Sequence, residues 1–348
     1  MKSHHKAKFI LLITSIIWGI APVFLEVVLD YLNPLHIITM RFGIAVLVLS
    51  LFLPLFKKHN RLSLLSSKTC ILIAWLNALG CLAATIGQKM TTAGLATLIS
   101  TSFVFVVPFL AWKLKGTRPD QKIIITGFTT LIGIFLISYN GNWANFSGLT
   151  SLGILFLMLA ALAWAFYLVL SGKILKISNI EDKKINLFSF MYAILLHTFL
   201  PLFILSLITT GFSFSLPLTI LPFVLFLAIF PTIVAFGLYS WAIARIGSVR
   251  TSFYLSLQVV VPFIYELVFL KQYYSSWIYC GIFLILISLG LSESSTGLNM
   301  SYAAMRLKVL VLNFPRVIKR NLTIAEIRHE KTENVQKEKV KHLGKPLI

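Results

Sequence analysis

Charge is scarce in this chain. Only 12% of its 348 residues are charged, about half the share of an ordinary soluble domain, and acidic residues number 11 against 31 basic ones. So little charge cannot cover a water-facing surface, which excludes a soluble globular fold. Cysteine is nearly absent as well. Cys70, Cys81 and Cys280 each sit inside an apolar run at no metal-binding or redox spacing, so they read as small buried hydrophobes and call for no oxidising compartment. No glycine-rich nucleotide loop is present, which removes ATP as a direct energy source. Nucleophiles, histidines and carboxylates are few and scattered, which argues against an enzyme, and neither a cofactor nor a metal ion is expected.

What fills the chain instead is hydrophobic sequence, 58% of all residues, with a mean hydropathy of +0.89. A membrane-spanning helix needs about 20 mostly apolar residues. The runs here are long and unbroken rather than alternating segments of about ten, so they predict helices and not a barrel. Ten spans follow: 9–28, 35–56, 69–88, 93–112, 123–139, 149–172, 185–208, 216–241, 249–270 and 276–291. Lys2, Lys6 and Lys8 precede the first run as in a signal peptide, but no small-residue cleavage site follows, and the run is kept as a span.

Part of the sequence occurs twice. Thr97 to Phe109, TLISTSFVFVVPF, and Thr251 to Phe263, TSFYLSLQVVVPF, align without a gap on Thr97/Thr251, Ser102/Ser256, Val106/Val260, Val107/Val261, Pro108/Pro262 and Phe109/Phe263. The same offset lays Gly127 on Gly281. A proline and a later glycine held in register point to a duplicated half-chain. The expected division is a cytoplasmic N-terminus at 1–8, a first five-helix repeat at 9–140, a second at 149–291, and a basic tail at 292–348.

The basic residues give the orientation. Lys57, Lys58, Arg61 and Lys68 follow the second span, Lys113, Lys115, Arg118 and Lys122 the fourth, Lys173, Lys176, Lys183 and Lys184 the sixth, and Arg245 and Arg250 the eighth. The alternate connections hold only Lys89 and Lys271. Both termini are therefore expected in the cytoplasm. Five is an odd number, so the second repeat must be inverted relative to the first, as in secondary transporters whose two halves expose one midplane site to each side in turn. In the tail, Leu307, Val309, Leu310, Val311, Phe314, Val317 and Ile318 alternate with Arg306, Lys308, Arg316, Lys319 and Arg320, as a helix on an anionic inner leaflet would. From about Thr323 the composition is that of a disordered segment. The net charge of +20 lies in loops and tail, and no nucleic-acid-binding motif accompanies it.

The motifs resemble the drug/metabolite transporter superfamily, EamA type. The first span carries Ser15-Ile16-Ile17-Trp18-Gly19 and the sixth Ala161-Leu162-Ala163-Trp164-Ala165. The second carries Met40-Arg41-Phe42-Gly43-Ile44-Ala45, similar to the family's Arg-Phe-x-x-Ala signature. The proline-bearing runs belong to the fourth and ninth, and Gly127, Gly133, Gly281 and Gly290 to the fifth and tenth. The family's Leu-Gly-Glu-like ending is replaced by Leu114-Lys115-Gly116-Thr117 and Leu270-Lys271-Gln272, so a role for that acid does not carry over. The resemblance implies an all-α permease in a bacterial inner membrane, with a small-molecule substrate.

Several polar and aromatic residues inside the spans are candidates for the site. Pro108 and Pro262 free the carbonyls of Val104 and Gln258, which predicts kinks that either line a polar cavity or serve packing. The amide of Gln258 beside its own freed carbonyl favours the cavity there. Glu266 has Trp112 as its repeat counterpart, so the fold does not require an acid; it is functional or snorkels to the outer surface. Arg41 is too deep to be a loop charge and has two expected partners. With Glu26 it forms a structural clamp; with Glu266 it contacts a zwitterionic substrate or closes an outer gate. Trp18 and Trp164 lie too deep for an interfacial belt and either stack on substrate or pack against neighbours. Tyr239 and Tyr254 are further cavity candidates, whereas His36 and His197 read as satisfied polar residues rather than proton relays. The function expected is a secondary transporter for a small polar metabolite such as an amino acid, a nucleoside-like compound or S-adenosylmethionine. A membrane-embedded lipid-modifying enzyme is the alternative, and a scaffold the third reading.

Overall fold

The computed structural model describes residues 2–56, 64–116, 119–139, 141–142, 149–180, 187–210, 217–261 and 275–294. Among them the chain is helical without strands, and ten successive spans can be followed. The first three, α1 (Lys2–Leu29), α2 (Pro34–Phe56) and α3 (Lys68–Lys89), are continuous. The fourth, α4, is broken into Ala93–Ser100 and Phe103–Lys115. Unbroken helices follow as α5 (Gln121–Tyr139), α6 (Leu149–Ile180) and α7 (Leu187–Thr210). The eighth, α8, runs as Leu221–Ala228, a π-helical insert Ile229–Val234, and Ala235–Ile246. In α9, Ser248–Leu255 passes into a 3₁₀ turn at Ser256–Val259. The last span is α10, Ser276–Ser294. Seven of these stretches are long and apolar enough to cross a membrane, and α5 and α10 contribute shorter apolar helices. The expected basic tail and the continuation of α9 with Pro262 and Glu266 lie outside the described residues.

The helices carry their apolar residues outward as well as inward, as lipid rather than water demands. On α6, Leu152, Leu155, Leu159 and Leu162 form one exposed stripe at helical spacing. Inside the bundle small residues set the approach distances. Between α3 and α6, a Cβ added at Gly87 would come within 2.7 Å of Leu157 Cγ and 2.9 Å of the Gly153 carbonyl. Between α5 and α10, a Cβ at Gly133 would meet the Gly281 carbonyl at 2.7 Å.

The contacts also give the symmetry. Thr39 bonds Leu202, Gly43 faces Phe199, and Ser50 meets Tyr192, so α2 and α7 run antiparallel. Tyr139 packs on Trp277, Gly133 faces Ile285, and Thr130 donates to Ser288, so α5 and α10 do the same. Equivalent spans pointing opposite ways is what inversion of a five-helix unit requires. The cross pairs repeat the pattern, since α3 lies against α6 and α7 while α8 lies against α1 and α2.

The duplicated runs break at matching places. In α4 the helix tightens at Thr101–Ser102, where Val104 N–H bonds Thr101 and Phe105 N–H bonds Ser102, three residues back instead of four. In α9 the 3₁₀ turn starts at Ser256, the repeat counterpart of Ser102. The expected kink at Pro108 thus lies upstream, because the proline ring crowds the carbonyl one turn back and the strain is taken up in the preceding turn.

Candidate functional site

Between the two repeats lies a cavity of about 130 Å³. At about 10–15 Å³ per water this is room for roughly ten waters, or for a ligand of about ten non-hydrogen atoms. It reaches from Tyr239 and Tyr167 in the middle of the bundle to Gln88 at the end of α3 and Ala96 at the start of α4. The opposite helix ends are filled by an apolar plug that includes Ala7, Leu11, Leu175, Ile243 and Ile246.

Arg41 lines the cavity from α2. Its Nε donates to Thr232 Oγ1 at 2.5 Å, and that hydroxyl in turn donates to the Leu227 carbonyl five residues back. The π-helical insert positions Thr232. Pro231 has no N–H to continue the α ladder, so the register slips by one residue and the turn widens. The same insert presents the Pro231 carbonyl to Trp18, whose Nε1 donates to it at 2.8 Å. No carboxylate pairs with Arg41 among the described residues, and its remaining N–H groups form no hydrogen bond there.

The two tryptophans occupy related places. Trp18 on α1 leans on α8, 5.6 Å from Phe236 and 5.5 Å from Tyr239 between ring centres. Trp164 on α6 leans on α3, in space that only Gly80 leaves open: a Cβ there would lie 2.6 Å from Trp164 Nε1. Both line the cavity, so lining and packing, posed as alternatives in the sequence, are combined in the same side chains.

Gln258 closes the cavity where the two broken helices meet. Its Nε2 donates to Thr101 Oγ1 at 2.8 Å, and Thr101 donates on to the Thr97 carbonyl at 2.6 Å, so the turn of α9 is tied to the turn of α4. The backbone carbonyl of Gln258 lies against α1 instead, where a Cβ at Gly19 would come within 2.6 Å of it. The absence of a side chain at Gly19 thus lets α1 pass close to that carbonyl.

Two expected site residues belong elsewhere. Glu26 does not clamp Arg41: it is exposed, and its carboxylate lies against the Ala93 backbone N–H at the start of α4, where a helix N-terminus attracts an anion. The cavity stripe on α1 is Trp18, Ala21, Pro22 and Leu25, and Glu26 is rotated off it. Tyr254 is buried in the apolar core and is not among the cavity-lining residues, because Leu255 and Gln258 define the cavity face of α9.

Other polar residues join the site without having been singled out in the sequence. Asn77 donates to Thr198 at 3.2 Å, and Gln88 donates to the Pro22 carbonyl at 2.6 Å. Thr85, Thr97 and Ser100 return their hydroxyl protons to their own helices, at Cys81, Ala93 and Thr97, which leaves oxygen lone pairs as their spare capacity. Asn77, Cys81, Thr85 and Gln88 recur at spacings of three and four, so a search for a polar stripe on α3 finds them.

A duplicated and inverted ten-span bundle around one internal cavity makes this a multi-pass integral membrane protein of the carrier architecture. The chain belongs to the EamA-like transporter family, whose profile matches residues 5–139 and again residues 151–293. Among 26 matching chains of solved structures, one crystal structure described only as that of a protein superposes with a TM-score of 0.64. It is 14% identical and covers 82% of this chain and 96% of its own, which supports the fold. No curated protein matches the chain in sequence.

Proposed function

We propose that the protein is a secondary transporter that moves a small polar metabolite across a bacterial inner membrane by alternating access, with both termini in the cytoplasm. The observation that carries this reading is the cavity between inverted repeats, closed off by packed apolar side chains at one end and lined by a guanidinium that meets no carboxylate among the described residues. A half-buried cation that meets no carboxylate among the described residues is costly to enclose, so an anionic group on the substrate is the natural complement to Arg41. The same lining offers hydroxyl lone pairs of Thr85, Thr97 and Ser100, which suit N–H donors. Trp18 and Trp164 line the same space. The room, about ten non-hydrogen atoms, favours an amino acid over the larger nucleoside-like compounds or S-adenosylmethionine. Residues 9–140 and 149–291 serve as the two rocking units, and Glu266 is retained as an outer-gate candidate outside the described residues.

Purified protein in proteoliposomes, presented in turn with labelled amino acids, nucleosides and S-adenosylmethionine, tests the proposal. Saturable, protein-dependent accumulation that Arg41→Gln reduces at least tenfold is expected. Uptake that Arg41→Gln leaves unchanged removes the cation from the site. No uptake of any of these classes, with chemical conversion of lipid instead, establishes the enzymatic alternative.

A further inference from the structure

Between the cavity and the apolar plug lie three hydroxyls that the site described above does not use. Tyr167 on α6 and Tyr239 on α8 turn their rings to the cavity and stack 5.8 Å apart with 24° between planes. Phe236 packs edge-on against Tyr167 at 6.1 Å, and Trp18 leans on Tyr239. The two tyrosines are 3% and 0% exposed. Their hydroxyls both face Ser171, one turn further along α6, and beyond these loose mutual contacts the three enclosed oxygens meet no hydrogen-bond partner among the described residues. Interiors carry few such groups because each costs stability for as long as it stays enclosed. Phenylalanine at both positions would keep the ring stack and remove that cost, so packing alone does not account for the hydroxyls.

We propose that Tyr167, Ser171 and Tyr239 form the inner gate of the translocation path and a second polar binding station on it, closed in this conformation and exposed when α6 and α8 part. This rests on the transport reading. Once the rings separate, the three hydroxyls face water and the substrate as it leaves Arg41, and they take its uncharged or ammonium hydrogen-bonding groups as donors or acceptors. The cost of enclosing them falls on the closed gate alone. It offsets part of the packing that holds the plug shut and keeps the two conformations close enough in energy to interconvert.

Thiol labelling of the full-length protein in sealed vesicles of each orientation tests the gate without a known substrate. A membrane-impermeant methanethiosulfonate is the probe, in a Cys70→Ser, Cys280→Ser background. Cys81 reports on the cavity, and Ser248→Cys, at a position 1% exposed beside Gly172, reports on the plug. Adding Tyr167→Phe with Tyr239→Phe is expected to lower the labelling rate of Ser248→Cys about tenfold while Cys81 labels at least as fast and the melting temperature holds or rises. Ser171→Ala, which leaves the ring stack intact, is expected to act in the same direction. Ser248→Cys labelling within twofold of the parent overturns the proposal, and so does a lowered melting temperature in the phenylalanine variant. If the gate variants shift labelling as expected while the wild type moves no solute, the transport reading fails, and only the control of access to the plug by the three hydroxyls stands.

Discussion

Gly80 carries a consequence that can be worked from distances alone. It lies where α3 passes α6, and a methyl group there would sit 2.6 Å from Nε1 and 2.7 Å from Cδ1 of Trp164. Unstrained carbon contacts lie at about 3.5–4.0 Å, so one side must give by nearly an ångström. The indole backs onto the cavity, and its displacement moves a wall of the site. Overpacking of this kind costs about 1–3 kcal/mol, while alanine returns up to about 1 kcal/mol of helix propensity over glycine. Gly80→Ala should therefore lower stability by about 1–2 kcal/mol, measured as reversible unfolding in mixed micelles. Trp164→Phe removes the pyrrole edge that the methyl would strike. The double variant is expected to lose less than the two single losses combined, with a coupling of about 1 kcal/mol or more. A Gly80→Ala protein as stable as the wild type, or strictly additive losses, would refute the assigned packing of Trp164.

Further outcomes follow from the same geometry. Arg41→Lys keeps the charge but loses the planar fork, so uptake of an anionic substrate should fall with KM raised at least tenfold, and intact kinetics would deny Arg41 a substrate contact. Gln258→Leu deletes the bond between the two broken helices while Thr101 keeps its own carbonyl, which should cost about 1 kcal/mol in the same unfolding measurement. Gly133→Leu forces α5 away from the Gly281 carbonyl and should destabilise by about 1–3 kcal/mol, with Gly127→Ala, whose nearest neighbour is a Phe105 ring edge at 3.2 Å, as the milder control. Single cysteines at Lys57 and Lys173 should label from the same side of the membrane. Labelling from opposite sides would break the inverted arrangement.

The architecture was legible because it rests on composition and period. Apolar runs long enough to span and a run repeated with its proline in register are each one-dimensional signals. Breaks inside helices were less so. Pro108 announces a disturbance in α4, but the turn that yields is at Thr101–Ser102, where Gln258 reaches across from α9 to Thr101. The π-helical insert at Ile229–Val234 follows from Pro231, yet proline alone does not say whether a helix kinks, tightens or widens. The site divides in the same way. Trp18, Arg41, Trp164, Tyr239 and Gln258 stood out as costly or bulky residues at mid-span, and all five line the cavity. Asn77, Thr85 and Gln88 drew no attention because one polar residue per turn barely lowers the hydropathy of α3. Glu26 was misplaced because depth was read without azimuth: its distance from the helix end suits a partner for Arg41, and its face does not.

The repeat explains how such a site is built. The scaffold uses what the halves share: matching breaks in α4 and α9, and a tryptophan of each half set against a helix of the other. The cavity's chemistry comes from positions where the halves differ. At the offset that lays Thr97 on Thr251, Gln258 corresponds to Val104, and Tyr239 to Thr85. Under the proposed alternating-access reading, a frame with pseudo-two-fold symmetry gives two conformations that exchange the roles of the halves, so the backbone favours neither strongly. Unlike side chains at equivalent positions then decide what binds and which conformation binds it better, because only differential contacts shift such an equilibrium. Arg41 is the extreme case. Its bond to Thr232 ties α2 of one repeat to the widened turn of the other, and motion between the repeats must change that bond. On the transport reading proposed above, a substrate anion that takes over the guanidinium would act on the contact that couples the halves and so join binding to movement.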